Sequence, residues 1–184
     1  MAKPDGIHGY RESVSDACEQ TLVTLLAHLG SWKDSVFLIG GLAPRYIIKS
    51  RPPVVPAHAG TGDVDIVVDM AILTNIKAYR SLETNIRDMG FVRATDDKGN
   101  KQSWRWQSVQ KDGTVLILEL LTDAPSIKGG RIEELPTDGN ISAVNIPHSS
   151  MVYDLHETQG YCQVVYPETE QGPLWVSHAT ISAI

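Results

Sequence analysis

The chain has 184 residues, 42% of them hydrophobic and 21% charged, with a formal net charge of −6 at pH 7. That composition suffices for one ordinary core and excludes disordered, collagen-like and coiled-coil classes. The acidic balance excludes a protein that coats nucleic acid through bulk electrostatics, so any nucleic-acid contact must be local.

Apolar residues Val14, Cys18, Leu22, Leu25, Leu26 and Leu29 recur at steps of three and four, which predicts an amphipathic helix stopped by Gly30. Val36-Phe37-Leu38-Ile39 is wholly apolar and runs into Gly40-Gly41, as expected of a buried strand that turns sharply. A short helix is predicted over Leu42 to Lys49, with Pro44 tolerated in its first turn. Ser50 to Gly62 is rich in Pro, Gly and Ala and reads as a long loop of the kind that borders functional sites. Asp63 to Asp69 is the next strand, and Leu73 to Met89 carries helical periodicity up to Gly90. Ser103 to Gln107 and Thr114 to Leu121 form an expected hairpin around Asp112-Gly113. Further strands are expected at Ile141 to Ile146, Tyr161 to Tyr166 and Leu174 to Ser177. The apolar residues Ile181 and Ile184 follow without a capping signal, which fits either a portion of a longer protein or a helix that does not form.

Cys18 and Cys162 form no C-x-x-C pair and no ligand cluster, and both read as reduced thiols. Met1 to Tyr10 is polar, with no basic region leading into an apolar stretch, and no run approaches the roughly 20 apolar residues of a membrane span. The expected location is the cytoplasm, with no membrane partner. One domain is expected over 1–184, with its core at about 14–121 and added strands and loops over 122–184.

The chemistry concentrates in Asp63-Val64-Asp65-Ile66-Val67-Val68. Alternate residues of a strand project to one face, so Asp63 and Asp65 point together while Val64 and Ile66 are buried behind them. Two convergent carboxylates suit a divalent cation, although Asp-x-Asp alone also fits an edge or surface strand. A third acidic residue, Glu119, lies within the apolar run Val115 to Leu121, where a charge is costly unless paired or metal-bound.

In order, the chain offers helix, strand, Gly40-Gly41, short helix, loop, Thr61-Gly62-Asp63-Val64-Asp65-Ile66, helix, and a later strand with Glu119. This resembles the nucleotidyltransferase core of the DNA polymerase β superfamily. Leu38-Ile39-Gly40-Gly41-Leu42-Ala43 with Gly60-Thr61-Gly62-Asp63-Val64-Asp65-Ile66 is similar to the AbiEii-type nucleotidyltransferases of abortive-infection and toxin-antitoxin systems. The resemblance covers roughly Val36 to Leu121. It implies an α/β (α+β) nucleotidyltransferase fold: a mixed, twisted sheet with the carboxylates on one side and helices on the other. It also implies transfer of a nucleoside monophosphate from a nucleoside triphosphate to an acceptor hydroxyl.

Under that resemblance Asp63, Asp65 and Glu119 would be the catalytic set and the ligands of Mg²⁺ (or Mn²⁺), with Asp123 the competitor for the third place and Asp69 a solvated cap. Gly40, Gly41, Thr61, Arg45 and Lys128 would bind nucleotide, the glycines by letting backbone approach phosphate. The chain departs from the family pattern with Gly41 and Leu42 where relatives carry hydroxyl residues, and with Ala59 where many carry Arg. Basic help is then expected from Arg45, Lys49, Arg51 or His58, each of which also reads as surface charge. The implied partners are RNA, such as a tRNA 3′ end, and a cognate antitoxin protein, and relatives continue into a helical domain. Modification of a small hydroxylated, aminoglycoside-like compound is an alternative. A non-catalytic binding or antitoxin-like module of the same fold is another.

Outside this constellation, Trp104 and Trp106 flank Arg105 and are expected on one strand face, either stacking a base or packing in the core. Lys128-Gly129-Gly130-Arg131 reads as a flexible basic loop suited to a polyphosphate or as ordinary loop composition. His148, His156 and His178 are too scattered for zinc.

Overall fold

The computed structural model describes residues 12–47, 61–69, 75–126, 128–130, 132–133, 141–161 and 179–183. Most of the expected loop with Lys49, Arg51 and His58, the strand at Leu174 to Ser177, and Arg131, Cys162 and His178 lie outside them.

The elements in order are α1 (Glu12–His28), β1 (Val36–Ile39), a 3-10 turn (Gly40–Leu42), α2 (Pro44–Ile47), β2 (Asp63–Val68), α3 (Ile76–Asp88), β3 (Val92–Thr95), β4 (Lys101–Val109), β5 (Val115–Thr122), β6 (Ile132–Glu133), β7 (Ala143–Asn145), α4 (Met151–Asp154), β8 (Glu157–Tyr161) and β9 (Ala179–Ala183). The fold is mixed α and β, as expected. The nine strands of the described residues form one mixed sheet in the order β3-β4-β5-β2-β1-β9-β8, with β7 beside the far end of β5 and β6 beside β7. β2 runs parallel to β5 and antiparallel to β1. β9 runs parallel to β1, so the stretch around Ile181 is a strand and not an unformed helix.

One face of the sheet carries the main core. Val64, Ile66, Val68, Leu38, Leu116, Leu118, Leu120 and Trp106 pack there against Cys18, Leu22, Leu25 and Leu26 of α1 and Leu82 and Ile86 of α3. α3 starts where the Asn75 side-chain carbonyl accepts the Lys77 N–H at 3.1 Å, an N-cap that sets the boundary at Ile76, later than Leu73. Among the described residues, the opposite face is covered toward the C-terminal ends of β2 and β5, where Phe37, Val67, Leu121 and Val144 meet Val152 of α4, with Tyr153 packed beside them. Helices thus load mainly one side, and the single-turn α4 covers part of the other.

The hairpin of β4 and β5 turns through Lys111-Asp112-Gly113. The Gly113 N–H donates to the Gln110 carbonyl at 2.9 Å, Gly113 has φ +81°, and Gln110 and Thr114 close the turn at 2.7 Å. Asp96 to Asn100 repeats the device between β3 and β4, with Gly99 at φ +84°.

The two tryptophans do not share a face as expected. Arg93 pairs with Trp106 but Thr95 pairs with Lys101, so β4 carries extra residues that bulge between those pairs. The Ser103 carbonyl accepts both the Trp106 indole N–H at 3.1 Å and the Ser142 N–H at 3.0 Å, which ties the bulge to the residues before β7. Trp106 is fully buried in the main core, with the Arg87 guanidinium 5.3 Å from its ring centroid. Trp104 is only partly buried and borders the second cluster.

Candidate functional site

The N-terminal half of β2 supplies the centre of the site. Its burial alternates over Asp63, Val64, Asp65 and Ile66, the aspartates partly exposed and the aliphatics buried, and becomes apolar on both faces at Val67 and Val68. Asp65 lies directly opposite Glu119 on parallel β5, and Glu119 lies opposite Arg105 on β4. Directly opposed residues share a face, so Asp65, Glu119 and Arg105 form one row across three neighbouring strands, with Asp63 two residues along on the same face.

The diglycine bend packs on this row. Gly40 has φ +72°, a left-handed conformation that favours glycine, and a Cβ there would overlap the Asp65 carboxylate. A Cβ at Gly41 would stand 3.0 Å from the Thr61 hydroxyl. Gly40, Gly41, Thr61, Asp63 and Asp65 are therefore brought together.

Thr61 is the hinge between the site and α1. Its hydroxyl donates to Asp63 Oδ1 at 2.6 Å, which fixes that carboxylate. The Thr61 N–H donates to Ser15 Oγ at 3.0 Å, and the Cys18 thiol lies 3.9 Å from the Thr61 carbonyl. Burial, reinforced by the charges of Asp63 and Asp65 and opposed by Arg45, pushes the Cys18 thiol up to about 12, so it stays protonated and unreactive at neutral pH. The contacts that Ser15 and Cys18 make with Thr61 escaped the sequence reading because a contact between α1 and a residue some 45 positions away leaves no local pattern.

The cationic side chains are arranged differently from the expectation. Arg45, anticipated at a phosphate, reaches Asp16 at 2.9 Å and Glu19 at 3.6 Å, both on α1. Burial opposes its charge, but the Asp16 hydrogen bond and the neighbouring carboxylates outweigh that and raise its pKa. Lys128 is exposed in a turn whose Gly130 N–H donates to the Asn145 carbonyl at 2.7 Å. Asn145 pairs with Thr122, three residues past Glu119, so this turn sits roughly 10 Å along β5 from the row. Asp123 accepts the Ser150 hydroxyl at 2.5 Å and the Ser150 N–H at 3.2 Å, and these bonds hold its carboxyl below the usual range. It serves as an anchor for the segment leading into α4 and stands outside the row.

Arg105 was not singled out from sequence as a site residue, although counting outward from the Asp112-Gly113 turn places it opposite Glu119. Its Nε lies 3.0 Å from Glu119 Oε1, yet the N–H is not directed at that oxygen, so the contact is an ion pair without a hydrogen bond. Among the described residues, no three His, Cys, Asp or Glu side chains gather closely enough to enclose a metal ion. Glu119 lies opposite Asp65, but its carboxylate is engaged by Arg105. Mg²⁺ ordinarily takes one or two protein carboxylates and completes its shell with water and phosphate oxygens, and Asp63 and Asp65 match that donor chemistry in type.

A groove lined by Ser13 and Ala17 of α1 and Lys111, Asp112 and Thr114 of the β4–β5 turn does not include Asp63, Asp65 or Glu119. No helix among the described residues is long and apolar enough to cross a membrane. No family model matches the chain, and neither a curated protein nor a solved structure matches it.

Proposed function

We propose that the chain is a nucleotidyltransferase-like domain of the DNA polymerase β type, similar to the AbiEii group, that moves a nucleoside monophosphate from a nucleoside triphosphate to an acceptor hydroxyl. The observation that carries this reading is the placement of Asp63 and Asp65 on one sheet face, with Gly40 against Asp65 and Glu119 directly opposite it. In the reaction the acceptor oxygen bonds to the α-phosphorus, the bond from that phosphorus to the α–β bridging oxygen breaks, pyrophosphate leaves, and the acceptor gives up a proton. Asp63 and Asp65 would hold Mg²⁺ or Mn²⁺, which supplies positive charge against the triphosphate. Thr61 keeps Asp63 oriented by its 2.6 Å hydrogen bond, and Gly40 leaves the space that Asp65 occupies. Glu119 is the candidate to receive the acceptor proton. An RNA acceptor, a tRNA 3′ end for example, and a cognate antitoxin belong to this reading through the resemblance alone.

A second reading has a specific observation in its favour. Arg45 and Arg105 are each engaged by carboxylates, which suits a non-catalytic binding module that keeps the fold and has lost its phosphate contacts. Titration calorimetry with each nucleoside triphosphate and Mg²⁺, on the wild-type chain and on Asp65→Asn, separates the two. The enzyme reading expects Mg²⁺-dependent binding that Asp65→Asn abolishes, followed by label transfer from a radioactive triphosphate to RNA. Absence of Mg²⁺-dependent binding to the wild-type chain would overturn it.

A further inference from the structure

We infer that Ser15 of α1 is a positioning residue of the site: it fixes the Thr61 peptide, and through Thr61 the Asp63 carboxylate, so that the first turns of α1 decide where that carboxylate stands. Its importance for catalysis rests on the proposed function, whereas the grip of Ser15 on Asp63 stands on geometry alone.

Thr61 precedes the first residue of β2, so its peptide lies outside the strand ladder. Side chains of α1 hold it instead. Ser15 Oγ accepts the Thr61 N–H at 3.0 Å, and the Thr61 carbonyl faces the Ser15 hydroxyl at 3.5 Å and the Cys18 thiol at 3.9 Å. A serine hydroxyl carries one donor and two lone pairs, so it can serve both ends of the peptide. Ser15 is 2% exposed and Thr61 4%, and a buried N–H that loses its acceptor is costly, so the Ser15 oxygen dictates where the Thr61 peptide sits. On the other side, Thr61 Oγ1 donates to Asp63 Oδ1 at 2.6 Å and lies 3.3 Å from the Asp63 N–H nitrogen. Threonine is stiff about its first side-chain torsion, so a fixed peptide means a fixed hydroxyl, and Gly41 closes in on that hydroxyl from the diglycine bend. The same stretch of α1 also grips α2: Asp16 and Glu19, next to Ser15 and Cys18 in sequence, hold Arg45 at 2.9 and 3.6 Å. One helical turn thus ties the entry of β2 to the element that follows the bend.

The test reads the Asp63 side chain directly, through the ¹³C chemical shift of its carboxyl group in the full chain labelled on aspartate, with Asp63→Asn identifying the signal. Thr61→Val keeps the shape and removes the hydroxyl, and is expected to move the Asp63 signal, while Thr61→Ser restores it. Ser15→Ala moves the signal as well, but adds nothing further in the Thr61→Val background, because it acts through Thr61. Thr21→Val removes another α1 hydroxyl, one that donates to the Ala17 carbonyl at 2.9 Å, and leaves the Asp63 signal in place even where the melting temperature falls. Should Ser15→Ala not fold, Ser15→Cys, with a weaker acceptor at the same position, makes the same comparison. An unmoved Asp63 signal in the folded Ser15 variant, or a shift just as large in the Thr61→Val background, overturns the positioning role. Triphosphate binding measured by calorimetry separates this from the proposed function. Binding by the wild-type chain that Ser15→Ala weakens several-fold supports both, and a wild type that binds no triphosphate while Ser15→Ala still moves the Asp63 signal overturns the nucleotidyltransferase reading and leaves the grip of Ser15 on Asp63 standing.

Discussion

The two faces of the central strands are built from the same residues in alternation, yet they solve different problems. On the face toward α1 and α3, Val64, Ile66, Leu116, Leu118 and Leu120 are almost fully buried along the whole length of β2 and β5. On the other face, the row Asp65–Glu119 stays partly exposed, while the next row, Val67–Leu121, is buried under α4. The boundary between open and covered surface thus falls between two successive rungs of one ladder. A sheet needs only one continuous apolar face to be stable, which leaves half of the second face available for charge.

The sharpest way to break this contrast is the tryptophan pair. Trp106→Ala removes a fully buried ring from the closed face and is expected to destabilise by about 3–5 kcal/mol, whereas Trp104→Ala, at the margin of the second face, should lose clearly less. Urea denaturation of both variants measures the gap, and equal losses would mean that the second face is as tightly sealed as the first. Gly40→Ala comes next. It forces a side chain into a left-handed conformation and against the Asp65 carboxylate, for an expected loss of about 1–3 kcal/mol, while Gly62→Ala, where a methyl group meets open space, should stay within about 0.5 kcal/mol.

Cys18 tests the electrostatics beneath the open row. Its folded-state thiol is raised to about 12, above the roughly 8.5 of an unfolded cysteine. The stability this gives is fully present below the unfolded value and is lost as pH rises toward the folded one, because the unfolded thiol ionises first. Stability of the wild-type chain relative to Cys18→Ala should therefore fall between about pH 8.5 and pH 12, measured by denaturant melts across that range. A constant difference would mean that the thiol does not feel burial and the two aspartates. The smallest effect is expected at Val109, which is 65% exposed at the end of β4: Val109→Thr should change stability by less than about 0.5 kcal/mol in the same melts.

Much of this architecture is legible in the chain. β1 ends where its apolar run meets Gly40-Gly41, β2 begins at Asp63, and the Asp112-Gly113 turn fixes the β4–β5 register. The meeting of the diglycine bend with the aspartates, by contrast, was expected only through the family resemblance and not from any local pattern. What escapes is non-local or short. β3 was missed although Asp97-Lys98-Gly99 carries the same turn chemistry as its partner hairpin, because Val92–Thr95 alternates too briefly to stand out. β6 and β7 are two and three residues long. The face of Trp104 cannot be read from period-two alternation once a bulge intervenes. The engagement of Arg45 by Asp16 and Glu19 requires α1 to lie across the start of α2, which no local pattern encodes.

The parallel pairing of β1 with β9 has a consequence for how the molecule is made. Leu38 meets Ile66 on one side and Ala183 on the other, so one neighbour is close in sequence and the other is separated by most of the chain. Closing the longer loop is the slower event, since contacts of high sequence separation bear the larger entropic penalty. Until residues 179–183 dock, Val36-Phe37-Leu38-Ile39 presents an open apolar margin on which a second copy could add a strand. The interval before that docking is when the nascent protein is most exposed to self-association.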